Sequence, residues 1–312
     1  MPQNFDMVCV GNATVDAFLT LKEAKKYLRF LPETNELCIK FGEKITVDKV
    51  DLLVGGNAAN VSVGLSRMSL KVGLMAELGN DEFAQKIINT LKKENVSTSF
   101  LKQTKGQNSS FSTIINFQGE RTIFSEHVKR DHDFNFNSIQ TKWIYLTSLG
   151  EEWKNTYDKT YEFVEKTNCQ LAFNPGTLQI NGDFKDIQKQ MSIADILFLN
   201  KEEAEKVLSN KYRVSSIKEA LRALQKLGPK IVVITDGKNG SYALEENGNF
   251  FQQGIIEAKI VEKTGAGDAY SSGFLSAILH NKSVKEAMLY GARNATSVIS
   301  KVGAQTGLLY EQ

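Results

Sequence analysis

Thr264-Gly265-Ala266-Gly267-Asp268 stands late in a chain of 312 residues, between the apolar segment Ile255 to Val261 and a run, Ala269 to His280, that can continue as a helix. Two glycines let the backbone turn tightly and come close to a ligand. The first turn of the helix then points unpaired N–H groups and a positive dipole end at whatever sits there, which suits a polyanion. Asp268 lies in the same turn, where an anionic ligand would repel it. An acid kept beside an anion site points to proton abstraction rather than to binding. Gly-Ala-Gly turns also join strands to helices in many α/β proteins, and Asp is a common N-cap, so the stretch has to be weighed with its surroundings. Two other phosphate motifs fail on spacing: Tyr270 stands where a dinucleotide fingerprint needs its third glycine, and no Gly-Lys-Ser/Thr tripeptide ends a Walker A loop anywhere in the chain.

Upstream, short apolar runs alternate with helical patterns. Trp143 to Leu146, Leu171 to Phe173, Ile196 to Leu199 and Ile231 to Thr235 read as strands, with helices such as Glu202 to Leu208 and Ile217 to Leu227 between them. That alternation argues for an α/β fold, a mostly parallel sheet covered on both faces. Phe5 to Gly11 reads as a first buried strand, Val72 to Glu77 as another, and Asp81 to Glu94 as an amphipathic helix. Ser109 to Phe124 reads as a hairpin turning at Gln118-Gly119, and Cys38 to Phe41 as a further strand. The chain is expected to be one domain, 1–312, with lid strands inserted at roughly 17–22, 36–46 and 109–125.

The totals exclude several classes. A net charge of +2 gives no electrostatic case for nucleic acid. No apolar run approaches a membrane span and no signal-peptide pattern opens the chain, so the expected setting is the cytoplasm, away from membranes. Cys9, Cys38 and Cys169 form neither a metal spacing nor a disulfide framework. The histidines lack ligand spacing apart from a loose His127/His132 pair.

In a doubly wound fold, ligands collect beyond the carboxyl ends of the strands, and the polar clusters fall there. Asn12 and Asp16 follow the first strand, and Asp16 can accept two bonds from a vicinal diol. Gly55-Gly56-Asn57 opens a helix with Asn60 one turn on. Two amides beside an exposed backbone suit sugar hydroxyls. Asn200 and Glu203 lie three apart past a buried strand, a spacing that suits a hydrated magnesium held mainly by phosphates. Thr235, Gly237 and Gly240 form a turn on which a nucleotide can lie.

Together these residues resemble the ribokinase-like, or PfkB, family of carbohydrate kinases, from about Val8 to Gly307. Two signatures carry the resemblance: Gly55 to Asn60 with Gly64 and Gly73, and Thr264 to Asp268 with Gly273. Asn200-x-x-Glu203 stands between them in the expected order. The resemblance implies a three-layer α/β sandwich with a small β lid, and ATP-dependent phosphorylation of a hydroxymethyl group of a sugar or, alternatively, a nucleoside. It implies Asp268 as the base, and the amides of Gly265, Ala266 and Gly267 as the hole for the transferring phosphoryl. Asp16, Asn12, Gly55, Gly56, Asn57, Asn60 and Arg121 would meet the substrate. Asn200, Thr235, Gly237, Gly240, Gly265 and Asn294 would meet ATP, and Glu203 would hold Mg2+ through water. Glu262-Lys263 replaces the family's usual Asp-Thr, which makes Glu262 the candidate ligand for a monovalent cation, K+. Asn57 replaces a lysine of ribokinase and Thr14 an asparagine, which argues for a relative's specificity over ribokinase's own. Phe18, Phe41 and Phe111 either stack a base or pack the lid, and packing is the expectation. The lid strands have edge character, so a homodimer through them is the expected partner arrangement. A sensor that binds sugar or nucleotide without catalysis is the rival class, but it would have little reason to keep an acid at Asp268.

Overall fold

The computed structural model describes residues 4–21, 26–117, 120–126, 128–137, 139–209 and 214–311. The Gln118-Gly119 turn and His127 therefore lie outside the described residues. The main sheet has eight strands. Six are parallel: β6 (Val72–Met75), β1 (Asn4–Val10), β11 (Gln140–Leu146), β12 (Gln170–Phe173), β13 (Ile196–Asn200) and β14 (Ile231–Thr235), in that order. Two antiparallel strands, β15 (Ser241–Leu244) and β16 (Phe250–Gln253), extend one edge.

The central strands are apolar on both sides because both faces are covered. Met7, Cys9, Tyr145, Phe198 and Val233 pack against the layer of α1 (Asn57–Arg67), α2 (Glu82–Lys93), α8 (Ala266–Leu279) and α9 (Val284–Ile299). Val8, Val10, Leu146, Phe173, Leu199 and Ile234 pack against α3 (Lys154–Thr167), α5 (Phe184–Met191), α6 (Lys201–Ser209) and α7 (Ile217–Gln225). A short α4 (Thr177–Ile180) follows β12. The result is a three-layer α/β sandwich. Among the described residues no helix is long and apolar enough to cross a membrane.

The strands expected to form the lid belong to a separate four-stranded sheet in the order β10 (Glu120–Glu126), β9 (Phe111–Phe117), β2 (Thr14–Thr20), β5 (Lys49–Gly55). The expectation for 36–46 is corrected here. That stretch supplies only β4 (Glu36–Ile39), which pairs with β3 (Leu28–Leu31) in a ribbon of its own. The strand that completes the lid is β5, which in the sequence looks like the lead-in to Gly55-Gly56. Its Lys-Val-Asp-Leu-Leu-Val pattern is half exposed, as an edge strand's is. Phe18 is buried, and Phe111 stacks on Phe83 of α2 with ring centroids 5.2 Å apart, so both pack. Phe41 is fully exposed. Ile255 to Val261, leading into Thr264, forms no regular strand.

Candidate active site

Two helices, α1 and α8, bring the two glycine-rich signatures together. Their contact is close because Gly64 faces Ser272: a Cβ on Gly64 would lie 2.3 Å from the Ser272 Oγ. One turn back along α1, Asn60 donates through Nδ2 to Asp268 Oδ2 at 2.8 Å. Asn57 donates to Asp268 Oδ1 at 3.2 Å. Neither Asn57 nor Asp268 is an N-cap. The caps are Gly56 and Gly265, both at positive φ and neither with a side-chain cap bond, and Asp268 is the third residue of α8.

Gly265 has φ +76°, and a Cβ there would meet the Cβ of Ala304 at 2.4 Å. Gly267 has open space where its side chain would be. The first-turn amides of α8 have no carbonyl one turn earlier to bond. Ala266 N–H makes a long bond of 3.3 Å to the Lys263 carbonyl. The turn is therefore a helix end whose geometry suits an anion, with a carboxyl group built into it.

The Asp268 carboxyl is pushed up to about 7, chiefly by burial and with a contribution from the negative charges of Asp16 and Glu203, against the lowering effect of the Asn60 and Asn57 bonds. Asp16 lies buried in β2, paired with Leu53 and Ser112 across the lid sheet. Burial raises its carboxyl as well, with the Thr14 hydroxyl donating to it at 3.1 Å. Asn12 follows β1 and holds its neighbours through backbone: its N–H donates to Ser148 O and its carbonyl accepts from Ala59. Gly55 lies against the Asp16 carboxylate, and Gly56 against the Asn12 carbonyl.

At the end of β13, Asn200 and Glu203 cap each other. Asn200 N–H donates to Glu203 Oε2 at 2.9 Å, and Glu203 N–H donates to Asn200 Oδ1 at 2.8 Å. Burial raises the Glu203 carboxyl. Among the described residues no group of three or more His, Cys, Asp or Glu side chains gathers to hold a metal. A divalent cation beside Glu203 would draw its other ligands from phosphate and water. Thr235 ends β14, and Gly237 to Gly240 form the tight turn into β15, with Gly240 at φ +86°. Glu262 is buried. Its Oε1 accepts from the Thr264 N–H at 2.6 Å and from the Thr264 hydroxyl, while its Oε2 is buried with no hydrogen-bond partner.

Two expected residues stand elsewhere. Asn294 is fully buried. Its Nδ2 donates to Ala269 O and Ser272 Oγ, and its Oδ1 accepts from Leu309 N–H, so its amide is spent tying α9 to α8 and to the C-terminal tail. Arg121 is exposed on the lid face that carries Asp16, two strands across and two rows out, about 16 Å away by strand geometry. Two residues not expected are drawn in. Ser148, past β11, donates to Asn57 Oδ1 at 2.9 Å, and Gln305 donates to Asn60 Oδ1 at 3.0 Å. Ser148 lies at a strand end, where the fold's own rule directs attention; nothing in the sequence marks Gln305. A groove of about 840 Å³ beside α9, lined by Ile256, Arg293, Thr296 and Tyr310 among others, contains none of the expected residues.

Known proteins resemble the chain along nearly its whole length. The model of the family described as pfkB family carbohydrate kinase matches residues 8–310. A 5-dehydro-2-deoxygluconokinase of Lacticaseibacillus casei is 24% identical over 326 residues, covering 99% of this chain and 94% of the relative. Arabidopsis thaliana ribokinase complexed with ribose and ATP superimposes with a TM-score of 0.77 at 20% identity, covering 99% of this chain and 96% of that one. An E. coli protein described as ribokinase II, in complex with ATP and Mg2+, gives 0.79 at 14% identity over 97% of this chain and 95% of that one.

Proposed function

Because the chain belongs to the pfkB family of carbohydrate kinases, we propose that it transfers a phosphoryl group from ATP to a hydroxymethyl group of a sugar, with Asp268 as the general base. The observation that carries this reading is a buried carboxyl group in the first turn of a helix, held by the Asn57 and Asn60 amides and pushed up to about 7. A base poised near neutral pH has both the vacancy to take a proton and the affinity to hold it.

When bound, ATP supplies the electrophilic phosphorus and the leaving group. Asp268 takes the proton of the attacking hydroxyl, while Asn57 and Asn60 keep its two oxygens fixed. The amides of Gly265, Ala266 and Gly267 stabilise negative charge at the helix start, the chief demand of phosphoryl transfer. Asp16, Asn12, Gly55, Gly56 and Asn57 form the sugar side. Asn200, Thr235, Gly237 and Gly240 form the nucleotide side, with Glu203 holding Mg2+ through water. The unpartnered Glu262 Oε2 suits a monovalent cation such as K+, which would offset its buried charge. Arg121 and Asn294 take no part in this reading. A sugar is favoured over a nucleoside because Phe111 is spent on packing against Phe83, Phe41 is wholly exposed, and Phe18, on the same lid face as Asp16, is buried with almost no free surface for stacking a base. The gluconate-type name of the casei relative puts sugar acids on the test panel.

The test is ADP release from magnesium-ATP across pentoses, hexoses, sugar acids and nucleosides. At least one sugar should give turnover. Asp268→Asn should lower kcat by roughly 10³-fold, the scale of general-base catalysis, with nucleotide binding by calorimetry retained. Normal turnover in that variant would remove Asp268 as base. Run in potassium and in tetramethylammonium, the same assay tests the cation: equal rates would overturn a role for Glu262.

A further inference from the structure

Residues 303–311 form a strap that crosses α1, α8 and α9 after α9 ends. Ala304 abuts Gly265, the cap of α8. Arg67, the last residue of α1, holds the strap down. Its Nη1 donates to the carbonyls of Gln305 and Leu308 at 2.9 Å each, and its other two nitrogens form a bidentate pair with Glu94. The Tyr310 ring covers the guanidinium at 4.8 Å, and Glu311 N–H donates to Arg67 O. Leu309 N–H is fixed to Asn294. Many bonds thus set the position of one side chain, Gln305, which is buried and reaches Asn60.

The chemistry of that contact is directional. An ionised carboxylate only accepts, so the Asn60 amide must turn its Nδ2 to Asp268. Its Oδ1 then points into a buried space and needs a donor. Gln305 Nε2 is that donor at 3.0 Å. With the amide reversed, an oxygen would face the carboxylate and an NH2 would face an NH2. We infer that Gln305 is a positioning residue for the base: it locks the Asn60 amide in the orientation that donates to Asp268, and so favours the carboxylate that can take a proton. The inference rests on the proposed role of Asp268. The relay runs Gln305 to Asn60 to Asp268, mirrored by Ser148 to Asn57 to Asp268. The charged or titratable groups that bear on Asp268 are Asp16 from β2, Glu203 from α6 and Tyr145 from β11. None of them touches Gln305 in the hydrogen bonds of the relay, so a change at Gln305 leaves them in place.

The experiment uses Gln305→Met, which keeps the length and removes the donor, and Gln305→Glu, which puts an acceptor opposite Asn60 Oδ1. Two readouts are taken: the acid limb of the kcat–pH profile, and the 13C titration of the Asp268 carboxyl in the ligand-free protein, assigned by its loss in Asp268→Asn. The expected result is an upward shift of both by about 0.5 to 1 pH unit in Gln305→Met, the scale of one weakened hydrogen bond to a charge, and more in Gln305→Glu. The KM for ATP should hold, and rates should converge on the parent's at high pH. A loss of kcat equal at all pH values, or no change in either readout, would overturn the inference. If Gln305→Met does not fold, Gln305→Glu carries the test. Should the parent show no acid limb while the carboxyl titration still moves, the base assignment fails and the relay stands; an unmoved titration removes the relay alone.

Discussion

At Asp268 the sequence accepts a cost that a purely structural residue would not carry. Burial lifts its carboxyl from 3.8 to about 7, so at neutral pH and above the native state holds a charge it would rather not hold. A group bound more tightly to its proton in the native state stabilises the fold fully below its unfolded value near 3.8, and that contribution is lost as pH rises toward about 7. The upper bound on the loss is about 4 kcal/mol by the standard conversion, less what the Asn57 and Asn60 bonds return on substitution. Asp268→Asn removes the titration. Relative to the parent, it should therefore gain about 2 kcal/mol more at pH 8 than at pH 5, read as the unfolding free energy in urea at the two pH values. An equal difference at both would mean that Asp268 does not titrate in this range. Loss of turnover with gain of stability in one variant is the signature of a strained functional group.

At the scale of elements, the start of α8 separates two glycines that look alike in the sequence. Gly265 is constrained by backbone, with φ +76° and Ala304 2.4 Å from any added Cβ. Gly267 has open space and sits inside the helix. Gly265→Ala should cost about 1–3 kcal/mol through strain and also disturb turnover. Gly267→Ala should leave stability unchanged or raised by about 0.5–1 kcal/mol, since alanine is the better helix former, while its methyl crowds the anion side and lowers kcat/KM for ATP. Thermal melts and steady-state kinetics on both variants check the pair; matching losses of stability would refute the distinction. The sequence made the parallel strands and α8 legible because full burial leaves continuous apolar runs with polar residues at their ends. It hid β5, whose exposed edge breaks the pattern, and β15 and β16, whose short antiparallel pairing leaves no long apolar run. It misplaced Asn294, since an amide about three turns into α9 reads the same whether it faces a ligand or a neighbouring helix. The Gln305–Asn60 contact spans 245 positions of chain and leaves no local trace.

For the whole molecule, the four-stranded sheet has one face on the Asp268 side and exposed apolar groups on the other. One face carries Asp16, Phe18 and Ile114 toward the cleft, and Asn116 on that face donates to Val261 O, three residues before Thr264. The lid is thus tied to the segment that leads into the base. The strand register sets Leu52, Ala17, Thr113 and Phe124 in one row on the opposite face, with Val50 two residues along β5. There Val50, Leu52 and Phe124 are 49%, 44% and 57% exposed. The β3–β4 ribbon side of that face is covered by Leu19, Ile115 and Phe117 packing with Leu28 and Leu37, while Leu52 and Phe124, at the two ends of this row, are open and Ala17 between them is buried. Apolar groups clustered on an edge-bearing sheet favour a partner surface of the same kind, so we expect two chains to pair lid to lid. A dimer that buries the row would hold each lid over its own cleft and couple assembly to turnover. Sedimentation velocity should therefore find a dimer for the parent and a monomer for Leu52→Lys, with the KM for sugar raised several-fold in the monomer because its lid closes unsupported. A parent that sediments as a monomer at every concentration would leave the exposed row without this role, and a monomeric variant with unaltered KM would separate assembly from closure.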